Sequence, residues 1–209
     1  MSIYDLTLAI TSDLVVFPGD PSFESQKVMD VENADPFTLC HFGLGNHAGT
    51  HIDFPAHVIP GGSSSDAYSL DYLTAPGRII EIPDDGYVTD RHIEKANIQA
   101  DEIVFFKTSN TRQRLHQRGI YTEDFASITP DASQKLVDQG VRIVGIDYLS
   151  VDSIDDETLS SHKTLLSNNV LIVENLDLNA VPNGQFQITI APLKVADADG
   201  LPVRVAAFS

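Results

Sequence analysis

The sequence has no tryptophan, a single cysteine and two methionines among 209 residues. One thiol, Cys40, rules out an internal disulfide framework and fits a reducing compartment. Basic residues are scarce: 13 Lys and Arg stand against 30 Asp and Glu, a formal charge of −17. A field of that sign repels phosphate backbones and anionic bilayers, which argues against nucleic acid and membrane surfaces as partners. No apolar run reaches the roughly 18 residues that a membrane span needs. Met1 to Ile10 lacks the basic stretch of a signal peptide, so a cytoplasmic protein is expected. There is no glycine-rich phosphate loop, and Ser63-Ser64-Ser65 lacks the flanking glycines of a serine nucleophile elbow.

What is present suits one domain over residues 1–209. The chain is 42% hydrophobic, enough to bury a core. Short β-rich runs dominate: Ile3 to Ile10, Phe37 to Leu44, Arg78 to Ile82, Glu102 to Thr108, Val141 to Ile146, Val170 to Val173, Gln185 to Ala191 and Val203 to Phe208. Val141–Gly145 and Val170–Val173 are almost continuously apolar, as strands buried on both faces are. Helices are fewer. Asp131 to Gln139 is the clearest, with Thr129 to cap it, Pro130 in its first turn and Gly140 to end it. Asp90 to Asn97 and Asp155 to Leu166 are further candidates, the acidic triplet Asp155-Asp156-Glu157 favouring a helix start. Turns are expected at Pro18–Pro21, Pro60–Gly62 and Asp84–Gly86. The reading is a β-rich α/β domain without regular βαβ alternation.

Residues 47–57 read His-Ala-Gly-Thr-His-Ile-Asp-Phe-Pro-Ala-His, so three of the seven histidines and one aspartate fall within eleven residues. Imidazole and carboxylate suit Zn²⁺, Mn²⁺ and similar ions. Gly49, Thr50, Ile52 and Pro55 disfavour a helix here. A fully extended chain would hold residues 47 and 51 about 13 Å apart, too far for both to reach one ion at about 2 Å. The backbone must therefore bend, and Gly49 permits it. An irregular turn gathering His47, His51 and Asp53 is expected, with Pro55 aiming His57 back toward them. Cys40 and His41 are expected at core or edge positions, His92 and His116 on the surface.

This string resembles the HxGTHxDxPxH signature of the cyclase-like metal-dependent hydrolase family, the kynurenine formamidase and isatin hydrolase type. The match holds at every fixed position. The resemblance extends to Phe17-Pro18-Gly19-Asp20, to Gly145–Asp152, to His162 and Glu174 twelve residues apart, and to Ala191-Pro192-Leu193 and Asp199–Arg204. It implies a swivelling β/β/α-type domain with a central mixed barrel-like sheet and flanking helices, assembled as a homodimer or homotetramer in which the N-terminal loop completes a neighbour's site. It also implies a metal pair. His47, His51 and Asp53 would hold one ion, and Asp53 would bridge to a second completed by His162 and Glu174. The ions would be Zn²⁺, with Mn²⁺ also compatible, and His57 would be the catalytic acid–base residue. The expected reaction is hydrolysis of a small-molecule amide C–N bond by metal-activated water, arylformamidase-like. A cyclic amide or lactone, or a cyclase or dehydratase reaction, stays open. Phe17 and Phe54 are candidates to pack the substrate; Phe17 stands where the arylformamidases carry Trp.

Overall fold

Runs rich in Val, Ile and Phe build a sheet that curls on itself. The computed structural model describes residues 1–83 and 86–209. Its strands are β1 (Ile3–Asp5), β2 (Glu24–Met29), β3 (Leu39–Gly43), β4 (His51–Asp53), β5 (Thr74–Glu81), β6 (Ile103–Lys107), β7 (Ile143–Ile146), β8 (Leu171–Glu174), β9 (Gly184–Pro192) and β10 (Gly200–Phe208). The helices are α1 (Asp90–Lys95), α2 (Ser109–Arg112), α3 (Pro130–Asp138) and α4 (Ser160–Ser167). The large sheet runs β10-β4-β8-β7-β6-β5-β9, and β9 pairs back onto β10, closing a seven-stranded mixed barrel with β1 added beside β10. Strands β5 to β8 are mutually parallel; the other pairings are antiparallel. The expected mixed barrel-like sheet with flanking helices is the architecture found.

The period of two along each strand sorts side chains into layers. Ile103 and Phe105 of β6, Ile143 of β7, and Leu171 and Val173 of β8 fill the barrel. Their neighbours Val104, Phe106, Val144, Ile146 and Ile172 face outward and pack under Ile93 of α1, Ala132 and Leu136 of α3, and Leu165 and Leu166 of α4. This explains why β7 and β8 read as unbroken apolar runs: both faces are buried. Thr129 caps α3, accepting from Ala132 N at 3.3 Å, and Gly140 leaves it at φ +70°.

Four expectations shift. The run from Ile3 pairs as a strand only to Asp5, with a single bridge at Thr7 to Leu176. The acidic triplet does not start a helix: α4 begins at Ser160, and Asp156 instead accepts from Thr158 N and Ser160 N. His51–Asp53 is a true strand in the barrel wall, so the irregular turn ends one residue before it. His116 is not exposed; it is half-buried against the Tyr148 ring, and burial pushes its pKa down. His92 serves in the N-terminal capping of α1, its Nδ1 accepting from Thr89 N. The Asp20 N–Phe17 O and Gly62 N–Ile59 O bonds close the first two expected turns, whereas Asp84 and Asp85 of the third lie outside the described residues.

Strands β2 and β3 pair only with each other in a separate ribbon. Val28, Phe37, Leu39 and Phe42 on and beside it are exposed. Among the described residues no helix is long and apolar enough to cross a membrane.

Candidate metal centre

Strand β4 creates the site through its alternation. Ile52 points into the barrel core, so His51 and Asp53 must face the other way. Strand β8 lies antiparallel beside it with Glu174 directly opposite His51, and β10 sets Gly200 opposite Asp53. The loop before β4 bends at Gly49, φ +66°, and brings His47 over Asp53. That bend is the one the eleven-residue spacing requires. Pro55 opens a short 3-10 turn, Pro55–His57, that carries His57 back above the cluster. His162 arrives from the first turn of α4, where Asp152 accepts from the backbone N–H of Ser161 and His162 and from the His162 ring.

All six residues expected in the metal and proton-transfer roles therefore converge. His47 Nδ1 lies 2.7 Å from Asp53 Oδ1, and His51 Nε2 lies 3.4 Å from the same oxygen. His51 Nε2 is 3.3 Å from Glu174 Oε2, and His162 Nε2 is 3.3 Å from Glu174 Oε1 and 3.6 Å from Asp53 Oδ2. The His57 ring stacks over His47 at 4.2 Å and stands 5.7 Å from His162. His51, Asp53, His162 and Glu174 are buried, while His57 remains 28% exposed in its side chain, giving the centre an open side.

Electrostatics show what the cluster wants. Burial opposes charging the rings, yet the carboxylates prevail. His47 is raised to about 9, mainly by Asp53 and then Asp199. His51 and His162 move the same way, against burial, under Asp53 and Glu174, with Asp152 acting on His162 as well. Asp53 is held well below the usual carboxylate range, despite burial, by His51, His162 and His47. Positive charge is thus demanded at the middle of the group. The donor set fits a metal. Asp53 Oδ2 is buried and has no hydrogen-bond partner among the described residues, an arrangement that normally calls for an explanation. Atoms bound about 2.1 Å from one tetrahedral ion sit about 3.4 Å from each other. Three contacts between residues that could share one ion measure 3.3 to 3.6 Å, whereas a charge-assisted hydrogen bond closes to about 2.7–2.9 Å, as His47 does on Asp53 at 2.7 Å. The ligands are nitrogen and oxygen only; Cys40 sits away on β3.

Each ligand ring is fixed from behind, as metal-bound imidazoles are. His162 Nδ1 meets Asp152 at 2.6 Å, His51 Nδ1 meets the Gly49 carbonyl at 2.9 Å, and His47 Nε2 meets Asp199 at 3.1 Å. Asp152 and Asp199 have no assigned role in the sequence reading, where they appear only within longer matching strings. The signal for Asp199 is the glycine that follows it. A Cβ on Gly200 would lie 2.2 Å from His47 Cε1, so the ring occupies the place of a side chain.

The two aromatic candidates separate. Phe54 is fully buried in the barrel core and stacks on Tyr68 at 5.4 Å. It is a core residue and does not line the centre, because the alternation that sends His51 and Asp53 outward sends Phe54, like Ile52, inward. Phe17 is half-buried, edge-on to Tyr121, beside a cluster of Leu115, Phe125, Tyr148 and Leu149. Val151, two residues beyond Leu149, donates its N–H to Glu174 Oε1 at 2.7 Å.

Residues 4–153 match the family described as "Putative cyclase". A kynurenine formamidase from Salinibacter ruber (strain DSM 13855 / M31) is 31% identical over 211 residues, covering 98% of this chain and 96% of that one. The solved structure of a potential metal-dependent hydrolase with cyclase activity superposes with TM-score 0.84 at 30% identity, covering 99% of this chain and 96% of that one. Isatin hydrolase A from Ralstonia solanacearum gives TM-score 0.84 at 22% identity, with 99% and 91% covered, a likeness of fold.

Proposed function

The chain belongs to the cyclase family, and from that premise we propose that it hydrolyses an aryl formamide, N-formylkynurenine or a near relative, to the arylamine and formate. It is a hydrolase of a C–N bond other than a peptide bond, like its formamidase relative. The observation that carries the mechanism is the set of 3.3 to 3.6 Å nitrogen–oxygen spacings from His51 to Asp53 and from His162 to Asp53 and Glu174, beside the unpartnered Asp53 Oδ2. His47, His51 and Asp53 would hold one ion; Asp53, His162 and Glu174 would hold a second. Nitrogen and carboxylate ligands favour Zn²⁺ and accept Mn²⁺. When bound, the metal supplies Lewis acidity, lowering the pKa of water and polarising a carbonyl.

The rest is the work of the chain. His57 projects over His47 with its ring on the open side. Imidazole is the side chain most often used for general acid–base work. His57 Nε2 takes the proton of the attacking water as the new C–O bond forms. It then returns that proton to the amide nitrogen, so that the C–N bond breaks and a neutral amine leaves. Phe17 and Tyr121 offer aromatic edges for an aryl group. The smaller Phe ring, in a chain without Trp, suits a pocket able to accept simple formanilides.

The β2–β3 ribbon is what supports assembly as a homodimer or homotetramer. Two strands alone are marginal in water, and Phe37, Leu39 and Phe42 need cover. A size-exclusion profile showing only monomer would remove this part. A lone unpaired Cys40 supports a cytoplasmic location.

The test is turnover of Zn- and Mn-loaded protein on N-formylkynurenine and N-formylaniline, with isatin and simple lactones for comparison. Formamide cleavage should dominate, vanish on chelation, return on re-metallation and collapse in His57→Ala. Full activity in metal-stripped protein, or hydrolysis of lactones alone, sinks the proposal.

A further inference from the structure

Asp199 is the last residue before β10, and its carboxylate reaches two rings at once. Oδ2 lies 3.1 Å from His47 Nε2 and 3.4 Å from His57 Nδ1. The other oxygen accepts from Asn46 Nδ2 at 2.8 Å, and the Asp199 carbonyl accepts from Phe54 N at 2.9 Å. So the group is fixed from three directions although its side chain is 44% exposed.

We propose that Asp199 is a positioning residue that sets the tautomers of His47 and His57 together, through one shared oxygen. This rests on the function proposed above. A carboxylate accepts only, so each ring must present N–H to it. For His47 that keeps a proton on Nε2, so that the proton Nδ1 shares with Asp53 at 2.7 Å is the one a bound ion would displace, as a metal ligand needs. For His57 the proton sits on Nδ1, and the lone pair of Nε2 is left to take a proton from water. One side chain therefore prepares the first ion's ligand and the proton carrier in opposite senses. Asp152 does the equivalent for His162 alone.

The experiment compares Asp199→Ala with wild type and with Asp152→Asn, all metal-loaded. Chelator competition should show the first ion held about 10- to 100-fold more weakly in Asp199→Ala, the second unchanged, and the reverse in Asp152→Asn. Histidine side-chain ¹⁵N spectra should show His57 as the Nδ1–H tautomer in wild type and a mixture in Asp199→Ala. In turnover, kcat should fall about 10- to 100-fold with KM held, and added acetate should restore kcat in the variant without raising that of wild type. Should the Ala variant not fold, Asp199→Ser, too short to reach either ring, gives the same measurements. A variant that keeps the wild-type His57 tautomer and binds the first ion as tightly as wild type overturns the proposal. Competition and spectra need no substrate, so wild type that cleaves no formamide would defeat the functional reading while these two still decide the role of Asp199.

Discussion

Two buried charged groups in this molecule are built in opposite ways. Arg78 on β5 and Glu102 before β6 are both buried, and they bond each other directly. Arg78 Nε and Nη2 donate to the two Glu102 oxygens at 2.7 and 2.6 Å, Nη1 donates to the Ala96 carbonyl at 2.9 Å, and Gln99 N donates to Glu102 at 2.9 Å. The cluster on β4 and β8 stops short. The contacts of His51 and His162 with Asp53 and Glu174 stay at 3.3 to 3.6 Å, although His47 closes on Asp53 at 2.7 Å, and Asp53 Oδ2 is left without a hydrogen-bond partner among the described residues. Charge placed for structure satisfies itself; charge placed for a ligand keeps room for it.

The largest effect should come from breaking the open cluster. Asp53→Asn removes the carboxylate that would serve both ions, and metal typically supplies several kcal/mol to the transition state, so kcat should drop about 10³-fold or more. Metal analysis should show both ions lost. The metal-free fold should suffer less, because the amide oxygen can still accept from His47. Calorimetry of metal-free protein checks this: a drop in Tm as large as that of a broken Arg78–Glu102 pair would erase the distinction. Breaking that pair comes next. Glu102→Ala leaves the Arg78 charge buried and unpaired, at about 3–5 kcal/mol, seen as a lower denaturant midpoint. The protein that remains folded should still bind its full complement of metal.

Only the open cluster of this contrast is legible in the sequence; nothing there pairs Arg78 with Glu102. Closely spaced histidines with Asp53 announce a site, because four potential ligands within eleven residues rarely serve packing, and the bend at Gly49 follows from ligand reach alone. The barrel strands show in their Val and Ile runs. The ribbon strand β2 does not, since Glu-Ser-Gln-Lys-Val-Met has no alternating apolar face to betray it. Strand β4 is hidden for another reason: its outward residues are ligands, so its polar positions look like a loop. Glu174 and His162 are individually ordinary residues, and only long-range pairing of β8 with β4 and the docking of α4 give them a purpose. Asp152 and Asp199 touch the ligands, and contact across the fold leaves no local spacing to read.

Gly200→Ala tests whether the open cluster is shaped as tightly as the closed pair. The new methyl would lie 2.2 Å from His47 Cε1, and the ring cannot swing aside without leaving Asp53 and Asp199. A stability loss of about 1–3 kcal/mol is expected for overpacking, with weaker binding of the first ion in chelator competition. Gly61→Ala would be strained by its positive φ, so Gly86→Ala, where no described residue lies within 4 Å of the added carbon, is the control and should change neither. Equal behaviour of the two variants would mean that His47 is free to move.

The smallest effect is expected where both halves of the closed pair are replaced. Arg78→Met with Glu102→Leu removes two buried charges together, a change that is often neutral or mildly stabilising, so Tm at pH 7 should hardly fall. Acid should separate the proteins. Burial would raise the Glu102 pKa, but the Arg78 hydrogen bonds and the Gln99 N–H outweigh it and hold it below its ordinary value. A carboxyl lowered in this way adds stability that is complete above the unfolded value, about 4.3, and is lost as pH falls through the folded value. Metal-free wild type should therefore lose Tm more steeply than the double variant between about pH 5 and 3. Parallel acid slopes would show that the pair contributes nothing to the pH dependence. The closed geometry would then mark good packing of two charges and not a net source of stability.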